Sequence, residues 1–150
     1  MRRATNRAIV HPTTAIWFGA WIGVALIVEV PAWRRGLLAG GGLAVLAGGA
    51  VIAGGFLPLT RMDPAWVATL ADKDYVFPNA WQAGTWALNL LYPVVIVVTA
   101  LARRRRGIAR PGELGLTIGC LALVAVFFVS LPFIAAQVAV AVQLQVSRVF

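Results

Sequence analysis

Long apolar runs separated by short polar clusters dominate this sequence. The runs cover about 14–30, 37–57, 85–102 and 114–131, and we call them segments A, B, C and D. A helix needs about 20 residues to cross a hydrocarbon core roughly 30 Å thick, with a lower limit near 17. The pattern therefore predicts an all-α fold, a polytopic transmembrane helix bundle of about four spanning helices, which we treat as a single domain over 1–150.

The last apolar stretch, 133–150, differs from these segments because polar residues interrupt it. Gln137, Gln145 and Arg148 fall close together on a helical wheel with 100° per residue, so they would form a narrow polar stripe. Such a stripe is typical of a helix that lies in the interface or faces a polar cavity. We expect 133–150 to form a C-terminal interfacial or re-entrant helix.

Segment A is the shortest run, and its position relative to the bilayer has two interpretations. It ends at Glu29 and Pro31, where a carboxylate in the last turn can reach the headgroup region beside Arg34 and Arg35. We expect it to span. The alternative is an interfacial helix, because a spanning segment A would leave basic residues outside, namely Arg2, Arg3 and Arg7.

Segment B contains no charge, and its glycines recur at a regular spacing. Gly41, Gly48 and Gly55 lie seven residues apart, which is almost two helical turns, so they share one side of the helix. Small residues let two helices approach closely within lipid. The spacing predicts a helix-packing face on segment B.

The polar connection 58–82 is predicted to contain a short surface helix. Asp63-Pro64 resembles a helix start, with Asp63 as the N-cap and Pro64 at the first helical position. A helix over 64–71 would lie on the membrane surface. Nearby aromatic residues are expected to form a belt at this interface: Trp66, Tyr75, Phe77 and Trp81.

Composition supports a membrane protein and argues against a soluble globule. The chain has 61% hydrophobic and 12% charged residues with a mean hydropathy of +0.86, whereas soluble domains carry about 25% charged residues. Such hydrophobicity also excludes disorder. Cys120 has no second cysteine with which to form an intrachain disulfide. We therefore expect the lipid bilayer to be the main partner of the chain.

The net charge of +8 is placed where a membrane topology requires it. The positive-inside rule puts basic residues of short turns in the cytoplasm. We identify as topology anchors Arg34, Arg35, Arg103, Arg104, Arg105 and Arg106. Their position predicts a bacterial cytoplasmic membrane with the 58–82 loop facing outward. No basic face with interleaved aromatic residues is present, so we expect no nucleic-acid partner.

The residues that could carry chemistry are few. His11 is the only histidine, so the chain cannot offer a histidine pair to a metal or haem, and we expect no cofactor. Candidate catalytic residues are Asp63, Asp72 and Asp74. Asp72 and Asp74 have a spacing that can hold a divalent cation, although a solvated loop paired with nearby basic residues is the simpler interpretation. Asp63 is either a base or a helix cap. No self-contained catalytic constellation is evident.

Two stretches resemble a known kind of membrane protein. They are 72–78, Asp-Lys-Asp-Tyr-Val-Phe-Pro, followed by Trp81, and 143–150, Gln-Leu-Gln-Val-Ser-Arg-Val-Phe. Both resemble segments of large, uncharacterised bacterial polytopic membrane proteins that are similar in layout to the C-type membrane glycosyltransferases. The resemblance implies transfer from a lipid-linked sugar, catalysis by a carboxylate in an early outward loop, and no sugar nucleotide. Such enzymes have many more helices, so this chain would be an internal stretch of one.

Three functional interpretations stay open. The leading one is an integral membrane protein of unassigned activity, a non-catalytic or incomplete part of a protein that handles lipid-linked substrates; the abrupt stop at Phe150 favours this. The alternative is a small accessory subunit that packs by its glycine face against a larger membrane complex or a second copy. The third is a transporter fragment, which requires polar groups at the midplane, and Asn89 and Gln137 are the available ones.

Overall fold

The computed structural model describes residues 12–54, 60–71, 73 and 76–145, and these form a helical structure. Its elements are α1 (Pro12–Glu29), α2 (Pro31–Ala53), α3 (Pro64–Ala71), a 3-10 helix (Pro78–Ala80), α4 (Ala83–Arg105), α5 (Glu113–Ala135) and α6 (Ala139–Gln143). Within these residues β-type pairing is limited to one isolated antiparallel bridge, between Arg61 and Val138. The all-α prediction is therefore confirmed for the described part of the chain.

Among the described residues, three helices, α2, α4 and α5, are long and apolar enough to cross a membrane. Each has 23 residues, or about 34 Å at 1.5 Å per residue, and they correspond to segments B, C and D. Helix α1 corresponds to segment A, and its 18 residues lie near the lower limit for a span. The membrane character of the chain is thus supported by three helices, and a fourth span stays a prediction.

Helix boundaries differ from the predicted ones at prolines. Pro31 forces Val30 out of the helical region, to φ −118° and ψ 89°, and then starts α2, because proline restricts the residue before it and is favoured at a helix start. Helix α2 therefore begins six residues before the predicted 37, and it ends at Ala53 instead of 57. Helix α5 continues through Pro132 to Ala135, beyond the predicted end at 131, although a proline inside a helix removes one backbone hydrogen bond and crowds the preceding turn.

Helices α1 and α5 pack antiparallel at very close range. An added Cβ on Gly119 would collide with the Trp21 side chain and lie 2.9 Å from the Trp21 carbonyl oxygen; on Gly115 it would lie 2.7 Å from the Ala25 oxygen. The Trp21 indole N–H also donates to the Leu116 oxygen at 2.7 Å. The two glycines, four residues apart, form the small-residue pattern that brings helices together in membranes. The packing face was predicted on segment B only, and this pair on segment D was missed.

Helices α4 and α5 form a second antiparallel pair. Their connecting turn contains Gly107 at φ 69° and Gly112 at φ 88°, a conformation that glycine adopts without steric cost. Across this turn Arg103 pairs with Glu113 at 2.8 Å. At the other end of the pair, Trp86 lies against aromatic rings of α5. Since α1 and α4 both run antiparallel to α5, they run parallel to each other.

This arrangement gives the bundle two distinct ends. We call the end with Arg34, Arg35 and the 103–110 turn the basic end, because the carboxyl ends of α1 and α4 meet the start of α5 there. The opposite end carries 60–82 and 133–145, and we call it the loop end. Both groups of predicted topology anchors therefore lie at one end of the bundle, as a membrane topology requires.

Near the loop end, aromatic residues form most of one buried cluster. Trp81, Leu123 and Phe127 are buried, and Trp17, Trp21, Trp86 and Leu131 pack against them. The rings of Trp81 and Phe127 stack with centroids 6.0 Å apart. Trp81 was expected in an interfacial belt, but it packs inward between helices; Trp66 stays exposed. Phe77 is half-buried, and Tyr75 lies outside the described residues.

Helix α2 stands apart from this packing. It buries no residue, and its contacts with α1 include the Arg34 side chain, which donates to the Ile27 and Val28 oxygens at 2.9 and 3.3 Å. An added Cβ on Gly41 or Gly48 would meet nothing within 4 Å, and Gly55 lies outside the described residues. The described glycines of the predicted face therefore contact no described part of this chain. That they pack against a helix of another molecule stays a prediction.

We predict opposite effects for the same substitution at the two kinds of glycine. Gly115→Ala should destabilise the protein by about 1–3 kcal/mol, because the methyl group would press against the α1 backbone. The control Gly48→Ala should leave stability unchanged or raise it by roughly 0.5–1 kcal/mol, since alanine is the better helix former and the space is open. Thermal unfolding of both variants in detergent measures this. Equal melting temperatures would contradict the close contact.

Candidate functional site

At the loop end, the C-terminal segment folds back onto the chain that precedes α3. The Met62 N–H donates to the Gln137 oxygen at 2.8 Å, and the Ala139 N–H donates to the Thr60 oxygen at 3.1 Å. Gln137 reverses the chain with φ 58°, a left-handed conformation that is unusual for a residue other than glycine. These contacts hold α6 beside the 60–63 segment.

This reversal differs from the prediction of a single interfacial or re-entrant helix over 133–150, because the described part of that stretch is not one continuous helix. Helix α5 takes the first residues to Ala135, a turn follows, and α6 has only five residues. Gln137 lies in the turn, Gln145 follows α6, and Arg148 lies outside the described residues. The residues of the predicted polar stripe therefore do not share one described helix. The pattern misled because Gln137 breaks the helix instead of contributing to its face.

Gln145 is a buried polar residue at the centre of the loop end. It is only 1% exposed, and its side-chain amide donates to the Val76 oxygen at 3.0 Å. Its own Oε1 is buried without a hydrogen-bond partner among the described residues. Val76, Ile134 and Val142 form a buried apolar cluster beside it. A buried amide is costly unless it is hydrogen-bonded, so the bond to Val76 specifies how these segments meet.

The Gln145 contact joins the two stretches that carry the sequence resemblance. Val76 and Phe77 belong to the first, and Gln145 belongs to the second. A further contact ties the second stretch to α1, because the Trp17 indole N–H donates to the Leu144 oxygen at 3.0 Å. The described residues of the two stretches, almost 70 residues apart in sequence, therefore meet at the loop end.

An open cavity of about 370 Å³ lies between α3 and α6. Apolar side chains such as Leu70 and Val142 line it together with Trp66, and Arg61 and Asp63 contribute its charged groups. Gln143 and Thr60 also line it. The cavity therefore combines an apolar wall with one cationic and one anionic side chain, a composition typical of small-molecule sites.

Asp63 is the only one of the three candidate catalytic aspartates that the structure describes. Its Oδ1 accepts the Ala65 N–H at 2.7 Å, which is the geometry of a helix N-cap, and α3 begins at Pro64 as predicted. Asp63 also lines the cavity. Asp72 and Asp74 lie outside the described residues, so their proposed roles stay predictions, and Lys73 between them is exposed.

At the basic end, both described carboxylates are engaged in structural contacts. Glu29 was expected beside Arg34 and Arg35, but its Oε1 accepts the Gly115 N–H in the first turn of α5, at 2.8 Å. Free N–H groups at a helix start favour an acidic partner. Glu113 pairs with Arg103 instead. The packing of α1 against α5 thus pairs Glu29 with a backbone N–H that is far away in sequence.

The anchor arginines lie at the ends of helices and not in an open turn. Arg103, Arg104 and Arg105 form the last turn of α4, and Arg106 is its C-cap. Basic side chains are favourable at a helix carboxyl end because of the helix dipole. Arg34 and Arg35 lie near the start of α2, where Arg34 also caps the end of α1.

The polar residues of the transporter interpretation make local contacts. The Asn89 side-chain amide donates to the Thr85 oxygen of its own helix at 2.9 Å, and Gln137 lies in the turn before α6. Neither residue is placed in a midplane cavity by these contacts. The burial of Gln145 was not predicted, although an amide in an apolar run was the signal for a buried polar contact.

Comparison with known proteins provides no match: no family model, no curated protein and no solved structure is similar to this chain.

We predict that Gln145→Ala destabilises the loop end by about 1–3 kcal/mol, because it removes the donor to Val76 and leaves a buried carbonyl unpaired. Gln143→Ala is the matched control, since Gln143 is exposed and exposed substitutions usually change stability by less than about 0.5 kcal/mol. Limited proteolysis and thermal unfolding in detergent report the difference. Similar cleavage rates near 76 in both variants would rule out this role for Gln145.

Proposed function

We propose that this chain is a non-catalytic or incomplete part of an integral membrane protein that handles lipid-linked substrates, with its loop end facing outward. The observation that carries the proposal is the loop-end cavity, which pairs an apolar wall with Arg61 and Asp63. A lipid-linked substrate has the same division into an apolar tail and a polar head. The resemblance of 72–78 and 143–150 to proteins of this kind points in the same direction.

The position of the cavity supports access from the bilayer. Val142 and Gln143 of α6 form part of its wall, and only a three-residue turn separates α6 from α5, one of the three candidate spans among the described residues. Trp66 is 63% exposed at its rim, and tryptophan is enriched at membrane interfaces. A substrate anchored in the membrane could therefore place its head in the cavity while its tail stays in lipid.

The chemistry of the cavity favours binding over catalysis. Its one lining carboxylate, Asp63, already accepts a backbone N–H as a helix cap. General acid–base work needs a group that is free to reach the reacting proton. Within the described part of the loop end, we assign Arg61 to the polar head of the substrate and Asp63 to the start of α3.

The proposed orientation rests on the two ends of the bundle. The anchor arginines gather at the basic end, and the positive-inside rule assigns that end to the cytoplasm of a bacterium. The loop end and its cavity then face outward, where lipid-linked sugars would be presented to such a protein according to the resemblance.

Cysteine labelling tests orientation and binding together. In a Cys120→Ala background, Gln143→Cys in the cavity wall and Asn79→Cys outside it should both react with an impermeant maleimide on intact cells, because both positions are exposed. A short-chain prenyl phosphosugar added to purified protein should slow labelling at 143 and leave labelling at 79 unchanged, since only 143 lines the cavity.

The two positions separate the possible failures. Labelling of both only after lysis would reverse the orientation. Labelling at 143 that the prenyl phosphosugar does not slow would contradict the handling of lipid-linked substrates.

A second candidate function, a small accessory subunit, is favoured by helix α2. This helix is long and apolar enough to span, yet it buries no residue, and open space surrounds Gly41 and Gly48. Association of helices in lipid depends on close packing at small residues. In this interpretation α2 docks by its glycine face against a larger membrane complex or a second copy of the chain.

Gly48→Leu tests the accessory-subunit function. Leucine would meet no atom of this chain near its Cβ, so the thermal stability of the isolated protein should not fall. In native membranes, however, the tagged chain should shift from a larger complex to its monomer size on blue native electrophoresis. Ala50→Leu, on the opposite side of α2, is the control and should keep the complex. Loss of the complex in both variants, or in neither, would exclude the glycine face as the interface.

A further inference from the structure

A groove with two arginines lies at the basic end, opposite the loop-end cavity. Arg104 and Arg110 line it together with Ala100, Leu101 and Leu114, and it encloses about 220 Å³. Arg104 belongs to the last turn of α4. The turn that contains Gly107 and Gly112 reverses the chain and brings Arg110 to the same groove. Two guanidinium groups therefore stand over an apolar floor.

The local carboxylates do not neutralise these two arginines. Glu29 is engaged with the Gly115 N–H. Glu113 also lines the groove, but one of its oxygens accepts from Arg103 at 2.8 Å, and the other is buried with no hydrogen-bond partner among the described residues, so it is not accessible to a ligand. Arg103 further donates to the Ile108 oxygen at 3.1 Å. In the described part of the chain, the structure shows no ion pair for Arg104 or Arg110, so the accessible charge of the groove is positive.

The apolar floor belongs to helices that are able to span. Leu101 and Leu114 are 51% and 49% exposed, and they lie on α4 and α5, two of the three candidate spans. Below the arginines the exposed surface of both helices is apolar, with Leu91, Val94, Val98, Leu121 and Phe128 accessible. A ligand in this groove therefore meets two cationic groups at one end and a hydrocarbon environment at the other.

We propose that this groove binds an anionic phospholipid, with Arg104 and Arg110 on its phosphate and its acyl chains along Leu101 and Leu114. Guanidinium groups bind phosphate oxygens in bidentate geometry, and arginine clusters next to a span attract anionic headgroups. Zwitterionic lipid is disfavoured, because the carboxylate that could meet its ammonium group, Glu113, is bonded to Arg103 through one oxygen and has its other oxygen buried. The site is independent of the proposed function, since it lies at the opposite end of the bundle.

Native mass spectrometry of the purified chain in detergent tests the proposal, with phosphatidylglycerol and phosphatidylcholine of equal chain length as probes. We expect phosphatidylglycerol to be retained in preference. Arg104→Gln/Arg110→Gln should weaken its retention by roughly fivefold for each arginine. The control Arg105→Gln/Arg106→Gln removes the same charge outside the groove and should retain the lipid nearly as well as the wild type.

Three results would overturn the proposal. Equal retention of the two lipids would remove the selectivity. Equal losses in both double variants would mean that diffuse surface charge attracts the lipid. Competition by millimolar glycerol phosphate to the same extent as by phosphatidylglycerol would identify a soluble phosphate as the ligand.

A cross-linking measurement on the wild type tests the site even if the variants do not fold. A photoactivatable phosphatidylglycerol with its reactive group near the headgroup should cross-link to peptides containing residues 100–114. Cross-links confined to other helices would contradict the assignment whatever the variants do.

Discussion

The close contact between α1 and α5 determines how the other elements are placed. Gly115 and Gly119 let the α5 backbone reach Ala25 and Trp21 of α1 at contact distance. Because glycine has no side chain, the two helices come close enough for dispersion contacts and for the hydrogen bond from Trp21 to the Leu116 oxygen. The contact fixes α1 antiparallel to α5 and thus parallel to α4. The division of the bundle into a basic end and a loop end depends on this direction.

At the loop end, the same packing brings together segments that are distant in sequence. Trp17 near the start of α1 reaches the Leu144 oxygen, and Gln145 reaches Val76. The β-bridge at Arg61 and Val138 closes the unit from the other side. Each contact gives a backbone carbonyl or N–H group a partner beside an apolar cluster, whereas Gln145 Oε1 has none among the described residues. The cavity between α3 and α6 is a consequence of this fold-back.

At the basic end, some charged residues make structural contacts, whereas others have no ion pair in the described part of the chain. Glu29 and Glu113 serve the start of α5 and Arg103, and Arg34 caps α1. Arg104 and Arg110 remain available on one groove. The arginines are therefore not equivalent, although the positive-inside rule treats them alike. A charge cluster that orients a protein in the membrane can also contain a defined pair that binds an anion.

Local features of the chain were enough to predict the helical class, the segments that became α2, α4 and α5, and the start of α3 at Asp63-Pro64. These properties depend on hydrophobicity, on proline geometry and on capping, which act within a few residues. The boundaries near Pro31 and Pro132 were less well predicted. The same residue type starts a helix at Pro31 and lies inside one at Pro132, so proline alone does not mark where a helix ends.

The long-range contacts could not be predicted in this way. They include the close approach at Gly115 and Gly119, the bond from α5 to Glu29, and the burial of Gln145 against Val76. Each of these partners is far away in sequence. Which glycine or amide meets a neighbour depends on how whole helices pack, and that packing is a property of the folded bundle.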